Sequence, residues 1–302
     1  MSFDSAATPR FDSSDDWPQR VARYAGLACL LEVTAPKPGN VHRGADFEGL
    51  TFLDFATSAL VIGPAMARAA AGARLGLSVR DCVAATRAAV ATNTNLGSVL
   101  LLVPLAMAPR HESLPAGVKR VLAQLDAEDA RLVYEAIRLA QPGGMGRVEE
   151  ADVTGPAPSD LLHAMRLAAD RDLVARQYVN DFADVFDVVV PAIRAGVEAD
   201  WPLADTIVHA HLTTMARHPD SLIARKCGAP VAAQAAHMAE QVLQAGRPGE
   251  QAYHEAASDF DFWLRADGHR RNPGTTADLV TGGLFVALRD AIIEPPLRFY
   301  AS

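Results

Sequence analysis

Four short polar segments interrupt a chain that is otherwise rich in apolar residues, and each carries side chains that bind phosphate or metal ions. They cover residues 36–46, 92–97, 220–228 and 267–278, and Gly or Pro residues bound each of them. Phosphate groups favour helix N-termini, lysine and arginine, and Mg²⁺ favours carboxylate oxygens. The pattern therefore predicts a site for a polyphosphate together with a metal ion.

The first of these segments is stiff as well as polar. Pro36 and Pro38 restrict the backbone around Lys37, and Gly39 and Gly44 allow positive φ or close backbone approach. Its polar side chains suit a polyphosphate with a metal ion: Lys37, Asn40, His42, Arg43 and Asp46. An ordinary polar loop between two helices is the alternative that these residues alone leave open.

The second segment, residues 92–97, contains four amide and hydroxyl side chains that compete for backbone hydrogen bonds and interrupt a helix. A helix that begins just after Gly97 would direct free N–H groups toward Asn93 and Thr94, which is typical of an anion site. The alternative is that Asn93 and Asn95 are simple helix caps.

Charged residues in and near the four segments supply candidates for both ligands. The carboxylates that can hold Mg²⁺ are Glu32, Asp46, Asp220, Asp261 and Asp278. The candidate cations are Lys37, Arg43, Arg225, Lys226, Arg270 and Arg271. A solvated surface charge is the alternative for every one of these residues.

The elements that must position these residues are predicted to be helices. Hydrophobic residues make up 50% of the chain and aromatic residues only 6%, and a set dominated by alanine and leucine favours helix over sheet. The sequence predicts an all-α fold, with one multi-helix domain over residues 15–294 and active-site loops at helix termini. A disordered tail is expected over 1–14 and an irregular tail over 295–302.

Individual helices follow from apolar periodicity and capping signals. The first begins after Asp15 or Asp16 and stops before Pro36, and the second runs over 51–75 with a kink at Pro64. Ser78 and Asp81 fit a capping box, as do Thr275 and Asp278 before a final helix over 276–293. Further helices are predicted over 116–140, 178–193, 202–217, 230–246 and 249–265.

Several classes of protein are disfavoured by the sequence. A net charge of −8 argues against a nucleic-acid or membrane surface. The three cysteines are far apart, so neither a disulfide framework nor a thiolate zinc site is indicated. The apolar run 99–108 is too short to span a bilayer, and without an apolar leader the expected location is the cytoplasm. No P-loop, dinucleotide-binding or hydrolase-elbow motif is present.

Taken in order, the four segments resemble the triphosphoribosyl-dephospho-CoA synthase family, which serves citrate lyase and malonate decarboxylase. The resemblance rests on Glu32-Val-x-x-Pro-Lys-Pro-Gly-x-Val-x-Arg43, Asn93-Thr-x-x-Gly97, Asp220-Ser221 with Arg225 and Gly228, and Asn272-Pro-Gly-x-x-Ala-Asp-Leu279. It covers residues 20 to 290. The resemblance implies a helical enzyme that joins ATP to 3′-dephospho-CoA. Adenine leaves and the triphosphoribosyl group is attached to a hydroxyl of the acceptor.

The resemblance also implies roles for individual residues. General acid and base catalysis falls to Asp46, Asp220 or Asp278, and Mg²⁺ to Glu32, Asp46, Asp220 and Asp278. The implied nucleotide-binding residues are Lys37, Gly39, Asn40, His42, Arg43, Asn93, Thr94, Gly97, Arg225, Asn272, Gly274 and Thr275. The implied partners are small molecules, namely ATP and dephospho-CoA or another acceptor, and a homo-oligomer is compatible with the sequence.

The chain departs from the better-known family pattern at Asn40 and His42 in the first segment and at Asn95 and Leu96 in the second. In these departures it is similar to a divergent branch found beside tetrahydromethanopterin-linked C1 genes. Such a branch implies a phosphoribosyl-type transferase with a different acceptor. A non-catalytic nucleotide-binding assembly helper and a helical N-glycoside hydrolase are the further alternatives.

Overall fold

Helices joined by short loops account for the architecture of the chain. The computed structural model describes residues 16–142 and 151–300. Over these residues there is no β-sheet, and the two isolated bridges, His42 with Ala45 and Phe47 with Leu50, lie in one loop. The prediction of an all-α fold is confirmed.

The helices are numbered in chain order. The first eight are α1 Trp17–Thr34, α2 Phe52–Val61, α3 Gly63–Ala70, α4 Leu75–Val90, α5 Leu96–Met107, α6 Leu114–Ala123, α7 Ala127–Ala140 and α8 Leu161–Ala168. The others are α9 Leu173–Val179, α10 Val190–Glu198, α11 Leu203–Arg217, α12 Ser221–Cys227, α13 Ala229–Ala245, α14 Gln251–Arg265 and α15 Gly274–Arg289. A π-helical segment, Val185–Val189, leads directly into α10.

The last helix, α15, lies at the centre of the main core. It packs against α1, α5, α10 and α11, and its residues 279–288 are all buried. A second hydrophobic cluster joins α11, α13 and α14 through side chains such as Leu212, Met215, Phe260 and Leu264. Thr275 and Thr276 in the first turn of α15 are buried as well, and this turn carries part of the candidate site.

Three of the predicted helices are each divided in the structure. In the one expected over 178–193, α9 ends at Val179, and positive φ at Asp181 and Phe182 separates it from the π-helical segment and α10. The helix expected over 51–75 is α2 and α3, which meet at Ile62, and it ends at Ala70. Pro64 lies in the first turn of α3, where its missing N–H costs nothing. The helix expected over 116–140 is α6 and α7, because Asp126 and Asp129 form a capping box that starts a new helix.

The two capping boxes predicted from sequence are wrong. Helix α4 begins at Leu75, and Ser78 Oγ donates to the Arg74 carbonyl inside it while Asp81 pairs with Arg68. Helix α15 begins at Gly274 and ends at Arg289, with no side-chain cap. Thr275 and Asp278 bind other helices, because their side chains face the candidate site.

Other predictions agree with the structure. Asp16 caps α1 by accepting from the Gln19 N–H, and the β-branched stretch near Val188 is helical. None of the described helices combines the length and apolar character needed to cross a membrane. The tail predicted over 1–14, the final two residues of the predicted C-terminal tail and most of the glycine-rich segment 141–146 lie outside the described residues.

Candidate active site

A cavity of about 640 Å³ opens between α1, α5, α8, α12 and α15. Residues of all four polar segments line it. The predicted site residues on its wall are Glu32, Asn40, Asn93, Thr94, Gly97, Arg225, Asn272, Gly274, Thr275 and Asp278. The core therefore brings together side chains that are up to 246 positions apart in sequence, counting from Glu32 to Asp278.

Asp278 lies where α15 meets the N-terminus of α5. Its Oδ1 accepts a hydrogen bond of 2.6 Å from Ser98 Oγ. A Cβ added at Gly97 would lie only 2.1 Å from Asp278 Oδ2. Only glycine at position 97 therefore allows the carboxylate to pack against the first turn of α5.

The pKa of Asp278 fits a role in proton transfer. Burial is the main cause that raises the pKa to about 7; the Ser98 hydrogen bond opposes the rise, and the nearby carboxylates of Glu32 and Asp220 contribute to it. Groups that move protons at neutral pH need a pKa in this range. Asp278 is the predicted catalytic carboxylate that the structure places on the cavity wall.

Glu32 also lines the cavity, but Lys37 does not. The Lys37 side chain is fully buried, with Nζ 2.8 Å from Glu32 Oε1 and donating to the carbonyls of Glu32 and Ala35 at the end of α1. Burial lowers the Lys37 pKa and raises the Glu32 pKa, and the attraction between the two opposes both shifts. The expected triphosphate contact of Lys37 is corrected to an internal ion pair, because its stem folds back onto the end of α1.

Asp220 is the N-cap of α12 and is fully buried. Its carboxylate accepts hydrogen bonds from the N–H groups of Leu222 and Ile223, and from both the N–H and the hydroxyl of Thr276. These four bonds join α12 to the start of α15 and leave no free lone pair for a metal or a proton. The structure thus places Asp220 in a structural position instead of a catalytic or metal-binding one.

The outer part of the first segment does not reach the cavity wall. Asp46 is exposed and accepts a 2.6 Å hydrogen bond from the Phe52 N–H at the start of α2. Arg43 is exposed and lies over the Tyr300 ring, and His42 Nδ1 accepts a hydrogen bond from the Gly44 N–H. The predicted nucleotide contacts of His42 and Arg43 and the catalytic and metal roles of Asp46 are therefore corrected to loop and cap contacts.

Gly39 shapes the loop and contacts no ligand space. It has a φ of 76°, and a Cβ there would lie 2.8 Å from the Leu264 side chain. Its N–H donates to Asp261 Oδ1 at 2.7 Å, so Asp261 is a loop anchor. The loop is thereby held against α14, and this contact fixes the position of the next residue, Asn40.

The polar side chains of the second segment make hydrogen bonds both to the start of α5 and to neighbouring helices. Asn93 Oδ1 accepts from the Leu96 N–H at the start of α5, so the alternative interpretation, in which both Asn93 and Asn95 are caps, holds for Asn93 but not for Asn95, the N-cap residue, which makes no side-chain cap. Asn95 instead donates to Thr86 Oγ1, and Thr94 Oγ1 lies 2.6 Å from Ser58 Oγ. These bonds hold the polar side chains on the cavity wall around the N-terminus of α5.

The predicted four-carboxylate metal set does not come together. Residues 16–142 and 151–300 contain no cluster of three or more His, Cys, Asp or Glu side chains arranged to hold a metal ion. The Asp46 and Asp220 carboxylates accept hydrogen bonds from the backbone or from Thr276, whereas Glu32 and Asp278 lie on the cavity wall. Any metal contact from the predicted set is thus limited to these two carboxylates.

Cations line the cavity near α12. Arg225 Nη1 donates to Asp172 Oδ2 at 2.9 Å, and Lys226 and Arg171 lie on the same wall. Burial and the neighbouring Arg225 and Arg270 lower the pKa of Lys226. Arg171, Asp172 and Ser98 were missed by the sequence analysis, because each follows or begins a helix without a recognisable motif.

The remaining wall is apolar and comes from α7, α8 and α9. Its residues include Ile137, Leu161, Ala164, Met165, Ala168 and Val174. They have the helical spacing of ordinary core residues, so the sequence carries no signal that separates them from the core. The cavity therefore has a polar wall suited to phosphate and an apolar wall suited to the body of an organic substrate.

The fold is all-α, and its cavity combines cationic side chains with an apolar wall, which is typical of a site for an anionic organic molecule. The model of a family described as ATP:dephospho-CoA triphosphoribosyl transferase matches residues 18–295. The chain belongs to this family and is a transferase of the triphosphoribosyl-dephospho-CoA synthase type.

A crystal structure from Archaeoglobus fulgidus, provisionally described as a triphosphoribosyl-dephospho-CoA synthase, is similar to this chain. The two are 25% identical with a TM-score of 0.59, over 78% of this chain and 99% of that one. No curated protein matches the chain significantly.

Proposed function

We propose that this protein transfers the triphosphoribosyl group of ATP to a hydroxyl of 3′-dephospho-CoA and releases adenine. The observation that carries the proposal is the position of Asp278. A carboxyl group with its pKa raised to about 7 lies against the N-terminus of α5 in a cavity that also holds unneutralised cations. Membership of the family supports the choice of donor and acceptor.

The triphosphate is assigned to the wall near α12. Lys226 makes no ion pair with any residue of the described parts of the chain, and Arg171 donates only to a carbonyl. Arg225 is held toward the cavity by Asp172. Lysine and arginine at this density favour a polyanion, because each phosphate offers several acceptor oxygens.

Mg²⁺ fits the residues present when ATP supplies the rest of its ligands. This ion is commonly held by one or two carboxylates together with substrate phosphates and water, and Glu32 and Asp278 both line the cavity. When bound, Mg²⁺ would neutralise charge on the triphosphate. Because Asp278 serves as the proton acceptor, Glu32 is the one of the four predicted carboxylates that we assign to Mg²⁺.

In the proposed reaction the C1′–N9 bond of ATP breaks and a bond forms between C1′ and the acceptor oxygen. Asp278 accepts the proton of the acceptor hydroxyl, and the departing adenine takes up one proton from solvent at N9. Asp278 then returns its proton to solvent, so ATP and the acceptor give the adduct and neutral adenine. Ser98 keeps the Asp278 carboxylate oriented.

The test is an adenine-release assay with purified protein, ATP, Mg²⁺ and dephospho-CoA. We expect adenine to appear only when the acceptor is present. An absence of adenine under these conditions contradicts the dephospho-CoA assignment. A screen of pterin and other alcohol acceptors then tests transfer to a different acceptor in C1 metabolism.

Two further experimental outcomes would indicate the alternative functions, a nucleotide-binding helper or an N-glycoside hydrolase. ATP binding in calorimetry without adenine release from any acceptor indicates an assembly helper that binds nucleotide. Adenine release together with free ribose triphosphate indicates an N-glycoside hydrolase that uses water as its acceptor.

A further inference from the structure

Part of the apolar cavity wall is open enough to contact a ligand. The apolar patch, as we call it, consists of half-buried wall residues from α7, α8 and the loop before α8: Ile137, Ala151, Val153, Leu167 and Ala168. Wall residues from α9, such as Val174, are buried instead. Covering the exposed carbon atoms of the patch with an apolar group of a ligand is favourable.

The loop part of the patch is anchored to α7. Tyr134 Oη donates to the Ala151 carbonyl at 2.8 Å, and Arg138 Nη1 donates to the Val153 carbonyl at 3.0 Å. Both donors are neighbours of Ile137 on α7. These bonds hold the loop against the helix that carries Ile137, so the patch is a fixed surface.

A cation lies at one end of the patch. Arg171 lines the cavity just after α8, and its Nη1 donates to the Leu167 carbonyl at 2.6 Å. A guanidinium carries five N–H donors, so Arg171 can bind a phosphate while it keeps this bond. The next residue, Asp172, pairs with Arg225 of α12. The patch therefore begins where the cationic wall of the cavity ends.

This order, a cation followed by an apolar surface, matches one of the two proposed substrates. In dephospho-CoA the diphosphate is followed by the pantetheine arm with its methyl and methylene groups, whereas ATP ends at its γ-phosphate. The half-buried patch also lets the amides of such an arm keep water, which avoids the cost of burying them without partners.

The adenine of ATP belongs at a different part of the cavity. It is bonded directly to C1′, which the proposed reaction places beside Asp278, where α15 meets the N-terminus of α5. Helix α8, in contrast, packs against α7 and α9. The donor base is thus adjacent to the proposed proton acceptor, and the patch is left for the acceptor.

We infer that the apolar patch binds the pantetheine arm of the acceptor and selects acceptors in which such an arm follows a phosphate. This inference rests on the proposed function. It makes Ala168 a specificity-determining residue, because its small side chain, close to Arg171, leaves room for the arm where the arm leaves the diphosphate.

The first test compares two acceptors with wild-type protein and ATP as the donor. ADP shares the adenosine and the diphosphate of dephospho-CoA but lacks the arm, and the mass of the adduct shows which molecule served as acceptor. We expect kcat/KM for ADP to be at least about 100-fold lower, since a single methylene in an apolar pocket is already worth about 10- to 200-fold. Equal use of the two acceptors overturns the inference.

A variant assigns the effect to the patch. Ala168→Leu should raise the KM for dephospho-CoA about tenfold and leave the KM for ATP within about twofold of wild type. Ala169→Leu is the matched control, because Ala169 is the C-cap of α8 and lies outside the cavity wall. If Ala168→Leu does not fold, Val153→Asn on the loop should raise the KM for dephospho-CoA in the same selective way.

Two results with a folded variant contradict the inference. An unchanged KM for dephospho-CoA shows that the arm lies elsewhere. An equal rise in the KM of both substrates shows that the patch holds the donor instead of the acceptor.

Failure of the proposed function gives a different result. If no adenine is released from ATP with any acceptor, the proposed reaction is wrong. The inference is then judged by the calorimetric affinities of wild type and Ala168→Leu for dephospho-CoA and ADP. Tighter binding of dephospho-CoA that is lost in the variant supports it, and equal affinities in the wild type overturn it.

Discussion

Asp220 and Asp278 show how burial alone leaves the role of a carboxylate open. Burial raises the pKa of both. Within the described residues, Asp220 accepts four hydrogen bonds from α12 and α15, whereas Asp278 accepts one, from Ser98, and lines the cavity. At the residue scale, the number of partners separates the structural carboxylate from the chemical one.

Asp278→Asn should lower kcat by about 100-fold or more, because it removes the proposed proton acceptor. In the wild type, activity should rise with pH through about 7, the pKa of Asp278. The residual activity of the variant should lack this pH dependence. A pH–rate profile of both proteins measures these effects.

The stability of the same variant provides the control for folding. The Asp278 pKa is raised above its unfolded value, so the stability that it contributes is present at low pH and is lost as pH rises through about 7. Asp278→Asn should therefore unfold at the same or a higher temperature than wild type at pH 8. A lower unfolding temperature would show that the loss of activity is structural.

Lys37→Met should destabilise the protein by about 3–5 kcal/mol, because it leaves the Glu32 carboxylate buried without its partner. Urea unfolding measures the loss. Lys119→Met is the control, since Lys119 forms an exposed pair with Asp181 and should change stability by less than about 0.5 kcal/mol. If Lys37→Met instead kept the stability of the wild type and bound ATP weakly, the result would favour the phosphate contact that the sequence predicted for Lys37.

The predicted binding residues of the first segment point in different directions. Asn40 lines the cavity, whereas Lys37 points inward and Arg43 outward from the same loop. Sequence spacing does not determine side-chain direction in an irregular loop. Here the direction depends on α14, through Asp261 and Arg265, which are more than 220 positions away.

At the scale of elements, the close contact between α5 and α15 positions the proposed base. Gly97→Ala should displace the Asp278 carboxylate, because the new Cβ would lie 2.1 Å from its Oδ2, and kcat should fall at least about tenfold. Gly63→Ala is the matched control, since nothing lies within 4 Å of a Cβ there. Equal activity of the two variants would contradict the assigned position of Asp278.

Helix α12 presents cations to the cavity, and Lys226→Ala should raise the KM for ATP about tenfold with a smaller effect on kcat. The reason is that Lys226 lines the cavity without an ion-pair partner in the described residues. Steady-state kinetics with ATP as the varied substrate measures the change, with Lys119→Ala as a control for loss of a surface charge. An unchanged KM would place the triphosphate elsewhere.

Helix existence was predictable and helix breaks were less so. Apolar spacing located most helices, but it ran through Ile62 and through 124–126, where the structure starts new helices. In the second case the signal was present, since Asp126 and Asp129 form a capping box. The boxes predicted at Ser78 and Thr275 were wrong for different reasons. Ser78 bonds locally to the Arg74 carbonyl, because α4 already begins at Leu75, whereas Thr275 bonds to Ser221 of α12, a tertiary partner that local sequence does not reveal.

At the scale of the whole molecule, burial of α15 brings the four polar segments to one cavity. Their meeting was predictable from the family resemblance, whereas the apolar wall of α7, α8 and α9 was not. Residues such as Met165 have the same spacing whether they face the core or a cavity. Only the packing of the complete chain distinguishes the two.

The mass of the product tests the central claim most directly. Wild-type protein with ATP, Mg²⁺ and dephospho-CoA should yield one adduct, equal to the acceptor plus ATP minus adenine, with one adenine released per adduct. Asp278→Asn should yield neither within the same time. Release of ADP or pyrophosphate with adenine still attached to ribose, or equal yields from the two proteins, would contradict the account.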